Sequence, residues 1–357
     1  MSISDMRLLR WKRDRLSSWG SAMGILGATC TLVASTRIVP VPTTRGIVPR
    51  TAPPLPIPSR TSSTSPCNRR ILLDRAFATA QGLAFGAAGV ALVGGMPVAA
   101  HAMSIDPNTG ILLPDVGEIA LAIPTDWSGV ENPFPTNGTP TTSSMFTRLD
   151  TTPDSIFYTN PRFVEHVDSN AVQLMTNYIS TQALKPGDAV LDLGSSWTSH
   201  IEPTVAKTLS RVVGVGMNEQ ELQANPSLTE HVVQDLNAQP RLDLYRNDEF
   251  DVVLCQLSID YFTKPLEVMK EVSRVLKPGG KVHVLFSNRL FLSKAVGLWT
   301  GADDLDHAYY VGCYLHFCGG NFESIVAQDL STRKGRDKRI VGDPLYVVVG
   351  QKGRGSL

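Results

Sequence analysis

The chain has 357 residues, 42% hydrophobic and 18% charged, so it is long enough for more than one domain. Its net charge of zero hides an asymmetry. Residues 1–102 carry 12 basic and 3 acidic residues, whereas residues 103–357 carry 21 basic and 30 acidic residues. The acidic second part does not favour a nucleic-acid partner, because phosphate contacts need Lys and Arg.

The front of the chain has the composition of a targeting region. Residues 1–102 are basic, rich in Ser, Thr and Pro and poor in acids, and over residues 1–67 this composition predicts an organellar transit segment. Within residues 68–102, Arg69 and Arg70 precede a long uncharged run, an arrangement that resembles a twin-arginine export signal. An export signal behind a transit segment predicts a chloroplast protein delivered to the thylakoid lumen.

The uncharged run itself, residues 76–100, allows two outcomes. It leads into Ala100-His101-Ala102, whose small-x-small pattern predicts cleavage, so the mature protein would have no stable membrane span. The alternative is an uncleaved anchor in the thylakoid membrane, because 25 residues are enough to cross a bilayer. Five glycines and Pro97 make the run a poor membrane helix, which favours cleavage.

The next segment, residues 103–154, is rich in Pro, Thr, Asn and Gly and has no sustained period. It predicts an extended arm over the surface of the following domain, residues 155–352. That domain begins with a helix whose apolar residues recur at helical spacing, capped by Asp168 or Ser169.

The segment Ala189–Ser196 is apolar apart from Asp192 and its last two serines, and it breaks at Gly194. This pattern predicts a buried parallel strand ending in a tight turn, which is where a doubly wound sheet usually binds a small-molecule cofactor.

Strands and helices then alternate along the chain. Further strands are predicted at residues 211–217, 231–237, 250–255 and 281–286, and helices at 219–224, 263–276 and 303–317. The helix at 263–276 has Thr263 as its cap and Pro265 in its first turn, and Lys277-Pro278-Gly279-Gly280 stops it.

Two closing strands, residues 322–330 and 345–350, have no helix between them, so an antiparallel hairpin is expected. The predicted fold is therefore α/β, a doubly wound, seven-stranded and mainly parallel sheet with a C-terminal antiparallel hairpin.

At the Ala189–Ser196 strand and the strand–helix–Pro-Gly-Gly–strand block that follows, the chain resembles the class I S-adenosylmethionine-dependent methyltransferases, particularly the type 11 group. Pro161–Val164, Ser195–His200 and Phe286–Arg289 resemble a plant, algal and cyanobacterial plastid branch of mostly unassigned substrate. The resemblance covers Ser155 to Gln351. It implies a Rossmann-like fold, S-adenosylmethionine as cofactor and a small-molecule or plastid acceptor.

S-adenosylmethionine is a sulfonium cation with a carboxylate, an amine, a ribose and an adenine. Its site needs a turn at which the backbone comes close to the ligand. Gly194 provides such a turn, because a side chain there would block the ligand. By family position, Asp235 would accept from the adenine amino group, with an exposed turn aspartate as the alternative. The residues implied to bind the cofactor are Asp192, Gly194, Ser195, Ser196, Gly216, Met217, Asn218, Asp235, Leu236, Cys255 and Gln256.

The second strand departs from the family pattern at its end. The family usually carries an acid there that accepts from both ribose hydroxyls, whereas this chain has Gly216. Asn218 or Glu219 could substitute from the following turn. Ser195-Ser196-Trp197 also replaces the usual glycine-rich continuation of the first turn.

No catalytic residue is assigned, because methyl transfer chiefly requires alignment and exclusion of water. A general base is needed only if the acceptor loses a proton. The weak candidates, each with a structural or surface role as its alternative, are His166, Asp168, His200 and His307. Arg162 and Arg289 could anchor an anionic acceptor or form salt bridges.

Three cysteines follow residue 102, namely Cys255, Cys313 and Cys318. They form neither a disulfide framework nor a zinc site, and no metal site is predicted. Cys313 and Cys318 could pair in an oxidising compartment, but buried free thiols are the expectation.

Three hypotheses follow. The first is a methyltransferase that acts on a small molecule, and the second is a catalytically silent, methyltransferase-like binding or assembly protein. The third is a nucleotide-dependent oxidoreductase, which the closing hairpin and the absence of a G-x-G-x-x-G turn disfavour.

Overall fold

The computed structural model describes residues 104–106, 110, 112–134 and 145–354. The targeting predictions for residues 1–102 therefore lie outside the described residues. The described strands are β1 Ser104–Ile105, β2 Leu112–Leu113, β3 Ala189–Ser195, β4 Arg211–Gly216, β5 Glu230–Val233, β6 Phe250–Gln256, β7 Leu276–Phe286, β8 Phe322–Asp329, β9 Arg333–Lys334, β10 Arg339–Ile340 and β11 Tyr346–Lys352.

The described helices are α1 Glu118–Leu121, α2 Asp154–Phe157, α3 Ser169–Tyr178, α4 Pro203–Ala206, α5 Glu219–Ala224, α6 Pro265–Val275, α7 Gly297–Thr300 and α8 Asp304–Phe317. A π-helical turn, Ile179–Ala183, extends α3, and a 3₁₀ turn, Ile259–Tyr261, follows β6.

Seven strands of the described part form the main sheet, in the order β5-β4-β3-β6-β7-β11-β8. β3 is an interior strand and pairs in parallel with β4 on one side and with β6 on the other. β11 lies antiparallel between β7 and β8. The predicted doubly wound sheet and its antiparallel closing hairpin are both confirmed.

Both faces of the sheet are covered, which explains why its strands are continuous apolar runs. On β3, Leu191 and Leu193 face a core that α6 and α8 complete, whereas Val190 faces a second core with Met175 of α3. Alternate residues of one strand therefore pack against helices on opposite faces.

Two predicted boundaries differ from the structure around Asn237. The third strand ends at Val233 instead of Asn237, because Asp235 Oδ1 accepts hydrogen bonds from two backbone N–H groups and turns the chain. Thr263 is not the cap of α6. It donates through its backbone N and its Oγ1 to Asn237 Oδ1, and the helix begins at Pro265.

Further along the chain, the Pro-Gly-Gly segment does not form a turn between α6 and the next strand. It lies within β7, which starts directly after α6, at Leu276. The short hairpin of β9 and β10 between the closing strands was not predicted from the sequence.

The described parts of the arm do more than cover the surface. Ile119 of α1 is fully buried and belongs to the main core, and the ring of Phe134 lies 5.1 Å from that of Tyr314 in α8. Further along, the fully buried Lys294 donates to the backbone oxygen of Thr152 and lies 3.4 Å from the Asp154 carboxylate. The arm therefore completes one of the two cores.

Cys255, Cys313 and Cys318 are buried thiols, as expected, and none of the three is in a disulfide. Among the described residues, no helix combines the length and the apolar character needed to cross a membrane.

The contribution of the arm can be tested within α1. Ile119→Ala should lower the free energy of unfolding by about 2–5 kcal/mol, because it leaves a cavity in the main core. Leu121→Ala, on the same helix but 61% exposed, should change it by less than about 0.5 kcal/mol. Urea unfolding followed by tryptophan fluorescence checks both variants. Equal effects would contradict the packing of the arm into the core.

Candidate active site

A cleft opens at the carboxyl ends of β3, β4 and β6, where the order of the strands reverses. Its empty space is about 1120 Å³, including the open mouth. Ligands of doubly wound sheets bind at this switch point. Of the residues implied to bind the cofactor, those that line the cleft are Asp192, Gly194, Ser195, Ser196, Gly216, Met217, Asp235, Leu236 and Gln256.

Gly194 has a φ of 73°, a left-handed conformation that side chains rarely adopt. A Cβ at this position would lie 2.7 Å from the Cβ of Ser258. The turn therefore requires glycine because of the protein's own backbone and Ser258, a cause that the sequence argument about ligand access did not identify.

Position 216 has even less room for a side chain than position 194. A Cβ there would overlap the backbone carbonyl oxygen of Ser195, at the register shift between β3 and β4. Backbone cannot move aside as a flexible side chain can, so no acid fits at this position. The absence of the family's ribose acid thus follows from the close approach of two strands.

Asn218 does not replace that acid, contrary to the expectation. Its Oδ1 accepts from the backbone N–H groups of Gln220 and Glu221 and so caps α5. Its Nδ2 donates to the carbonyl oxygens of Tyr158 and Thr159. Asn218 is buried, holds the entering segment against the sheet, and is not part of the cleft wall. Glu219, the other suggested substitute, contacts His231 3.1 Å away and is not part of the wall either.

Cys255 was also implied to bind the cofactor, but it lies in the main core and not in the cleft wall. Strand alternation explains this, because neighbouring residues of β6 point in opposite directions and Gln256 takes the position facing the cleft.

Asp192 organises the polar floor of the cleft. Its Oδ2 accepts from Ser195 Oγ and Ser199 Oγ, both at 2.7 Å, and its Oδ1 accepts from Gln256 Nε2 at 2.9 Å. Burial raises the pKa of this carboxyl, and the three hydrogen bonds act in the opposite direction. The bond from Gln256 joins β6 to β3 across the switch point.

The chain of hydrogen bonds continues to His200. His200 Nδ1 lies 2.9 Å from Gln256 Oε1, and Nε2 lies 3.1 Å from Glu165 Oε2. Because Gln256 donates its amide N–H to Asp192, its oxygen is left to accept, and the Glu165 carboxylate can only accept. Both ring nitrogens of His200 are therefore engaged, one by Gln256 and the other by Glu165. Through these contacts His200 holds the entering segment against the end of β6.

Backbone strain is concentrated at the same place. His200 has a φ of 49° and Leu257 a φ of 48°, and both line the cleft. Such conformations are costly for residues with side chains and persist where the surrounding contacts enforce them, as they often do at functional sites.

His166 is the second histidine of the cleft wall. Its ring packs edge-on against Phe291, with centroids 5.1 Å apart. Burial, followed by the nearby Arg162 charge, lowers its pKa, so the ring is neutral at physiological pH. A neutral imidazole is able to accept a proton.

The other two catalytic candidates lie elsewhere. Asp168 caps α3 through Ala171 N and accepts from Asp343 N. His307 is buried in α8 and stacked on Trp299. Arg289 is ion-paired with Asp343 at 2.6 Å, so the salt-bridge alternative is the correct one for this arginine.

Several residues of the cleft wall were not predicted from the sequence. Glu221 accepts from Arg162 N and Ser196 Oγ, but an acid in the first turn of a helix has an ordinary explanation in the helix dipole. Asp154 and Phe291 come from distant segments that no local pattern connects to the site. Gln256 was predicted from its position at the carboxyl end of a strand, whereas no sequence pattern indicated Glu165.

Beside the aromatic part of the cleft, Asp260 is buried under Tyr261. Its Oδ2 has no hydrogen-bond partner, and burial raises its pKa to about 8. Tyr261 itself lines the cleft and accepts from the backbone N of Phe291. Asp260 is therefore protonated in the folded protein at neutral pH.

Part of the chain is similar to known methyltransferases. Residues 191–284 match the methyltransferase type 11 family, described as a methyltransferase domain. The ubiquinone biosynthesis O-methyltransferase of Coxiella burnetii is 28% identical over 125 residues, which are 34% of this chain and 52% of that protein. The chain thus spans about half the length of the curated relatives it matches.

Solved structures similar to this chain include a SAM-dependent methyltransferase from Archaeoglobus fulgidus, at 11% identity and a TM-score of 0.39, covering 51% of this chain and 92% of that one. Another is phosphoethanolamine N-methyltransferase 2 of Haemonchus contortus in complex with S-adenosyl-L-methionine. It has 14% identity and a TM-score of 0.35, and the match covers 52% of this chain and 53% of that one.

Residues 191–284 are therefore similar to a methyltransferase domain, and the strand order is the one expected of the class I fold that uses S-adenosylmethionine. The cleft fits this cofactor in three respects. Gly194 and Gly216 line the cleft without side chains. Asp192, Glu221 and Asp235 provide carboxylates for a cation that carries an amine and hydroxyls, and Leu236 and Phe262 provide an apolar surface.

The raised pKa of Asp260 can be tested through the pH dependence of the free energy of unfolding. An aspartate in an unfolded chain has a pKa near 4, so between about pH 4 and pH 8 only the folded state keeps this proton. The stability of the wild type should therefore fall across this window as pH rises, by the linkage of proton binding to folding. Asp260→Asn cannot titrate, so its stability relative to wild type should increase from pH 5 to pH 8.

Urea unfolding at pH 5, 6.5 and 8 measures this difference, with the exposed Asp243→Asn as control. Parallel stability profiles for wild type and Asp260→Asn would contradict a buried, protonated Asp260.

Proposed function

We propose that this protein transfers a methyl group from S-adenosylmethionine to a small-molecule acceptor. The observation that carries the proposal is the Gln256–Asp192 hydrogen bond of 2.9 Å across the switch point, beside the glycine-bounded turn of β3. It fixes a buried carboxylate where a cationic cofactor would meet the carboxyl ends of the strands.

The residues divide into two groups within the cleft. Asp192, Ser195, Ser196 and Gln256 would hold the amino-acid part of the cofactor, and Asp235 with Leu236 its nucleoside part. When bound, the cofactor supplies a methyl group that its sulfonium sulfur has already activated. The protein therefore has to align the acceptor and exclude water.

The acceptor would lie on the aromatic side of the cleft, which Tyr158, Tyr261 and Phe291 form. His166 is the residue suited to take a proton from it, because the ring is neutral and packs on Phe291. His200 is less suited to this role, because both its ring nitrogens are engaged, by Gln256 and Glu165.

A second candidate function is a catalytically silent, methyltransferase-like binding or assembly protein. The observation that favours it is the absence of a ribose acid, since Gly216 has no room for a side chain and Asn218 is engaged elsewhere. The predicted lumenal compartment adds support, because charged S-adenosylmethionine needs a carrier to reach it.

Calorimetry with S-adenosylhomocysteine on the purified full-length chain tests the proposal. We expect micromolar binding by wild type and at least about a tenfold loss in Asp192→Asn, because the variant removes the charge that the network holds. The exposed Asp243→Asn should bind as wild type does, and thermal unfolding verifies that each variant is folded. A folded wild-type protein that does not bind would contradict methyl transfer.

We propose, from the sequence of residues 1–102, that the protein is delivered to the chloroplast and its thylakoid lumen. A fluorescent protein fused behind residues 1–102 should reach the lumen. Replacement of Arg69 and Arg70 by lysine should stop it in the stroma, because the twin arginines are the feature recognised. Retention of the unchanged fusion outside the chloroplast would contradict this proposal.

A further inference from the structure

Arg162 stands out among the groups of the cleft wall. It is the single Lys or Arg among the described residues that line the cleft, whose wall otherwise carries carboxylates such as Asp192, Glu221 and Asp235. A permanently charged guanidinium in an acid-rich cleft marks the place where an anionic group can be held.

The Arg162 guanidinium has donors to spare. It has five N–H groups, and among the described residues it makes one hydrogen bond, from Nη2 to the backbone oxygen of Phe157 at 3.0 Å. No described carboxylate lies within ion-pair distance of it, and Glu221 accepts from its backbone N instead. By contrast, Arg148 and Arg289 are paired with Asp154 and Asp343.

Aromatic rings hold the guanidinium in place. Its central carbon lies 4.4 Å from the ring centroid of Phe157, 5.5 Å from that of Phe291 and 5.6 Å from that of Tyr158. Cation–π contacts of this kind orient an arginine without neutralising it. The planar fork therefore remains available to bind a carboxylate in a bidentate manner.

The same ring connects the cation to the proposed proton acceptor. Phe291 contacts both Arg162 and His166, and its centroid lies 5.9 Å from that of Tyr261. A flat acceptor packed against Phe291 would have its anionic group near Arg162 and its nucleophile near His166.

We propose that Arg162 binds an anionic group on the methyl acceptor, and that the acceptor is a planar aromatic molecule bearing a carboxylate. This inference rests on the proposed function, because it assigns the acceptor class of the same cleft. Arg162 is then the residue that makes the cleft prefer an anionic acceptor over a neutral one.

Hydroxybenzoate isomers and the matching hydroxybenzamides are suitable probes, since they differ in charge but not in ring. Calorimetry on the full-length chain saturated with S-adenosylhomocysteine should show at least about tenfold tighter binding of a hydroxybenzoate than of its amide. In Arg162→Gln this preference should fall to within about twofold, with the affinity for S-adenosylhomocysteine unchanged. The control Arg246→Gln, an exposed arginine outside the cleft wall, should keep the preference.

Arg162→Lys adds a second measurement that does not depend on the folding of the glutamine variant. It keeps the charge but loses the planar fork, so an intermediate preference is expected.

Three outcomes would overturn the inference. One is equal binding of acid and amide by the wild type, another is no binding of any hydroxybenzoate, and the third is a loss of S-adenosylhomocysteine affinity in Arg162→Gln. The third would assign Arg162 to the cofactor's own carboxylate. Failure of the wild type to bind S-adenosylhomocysteine at all would be a failure of the proposed function instead.

Discussion

The site depends on the close approach of β4 to the end of β3. The carbonyl oxygen of Ser195 occupies the space that a side chain at Gly216 would need, and Gly194 turns the chain in a conformation open to glycine. These contacts place two glycines in the cleft wall at the switch point of the sheet. They also exclude the acid expected at position 216, so the polar contacts of the cleft have to come from other residues.

The polar contacts come from a hydrogen-bonded chain with a fixed direction. Asp192 accepts from Gln256, Gln256 accepts from His200, and His200 donates to Glu165. This chain ties the entering segment to the sheet. Arg162, which its aromatic neighbours hold in place, is the single Lys or Arg among the described residues of the cleft wall.

The fold could be predicted well from the sequence because buried parallel strands are continuous apolar runs. Arg211–Gly216 and Phe250–Gln256 were recognisable in this way, and Asp303 caps α8 at the predicted start of its helix. Boundaries failed where a side chain from elsewhere decided them, as Asn237 does at Thr263. Local patterns carry no information about such distant partners.

The site was predictable only in part, and for the same reason. The ends of β3 and β6 identified Asp192 and Gln256, because strand ends meet at one edge of the sheet. Neighbouring residues of a strand point in opposite directions, so Cys255 lies in the core and Gln256 in the cleft wall. The apolar run did not show which of the two faces the cleft. Arg162, Glu165 and Phe291 reach the cleft through tertiary folding of loops, and sequence alone gave no means of choosing between Arg162 and Arg289.

The most direct measurement of the central claim is a crystal structure of the full-length chain grown with S-adenosylhomocysteine. We expect the ligand in the cleft beside Gly194 and Gly216, with its amine within hydrogen-bond distance of the Asp192 network. Density for the ligand elsewhere, or a cleft without it at saturating concentration, would contradict cofactor binding at the switch point of the sheet.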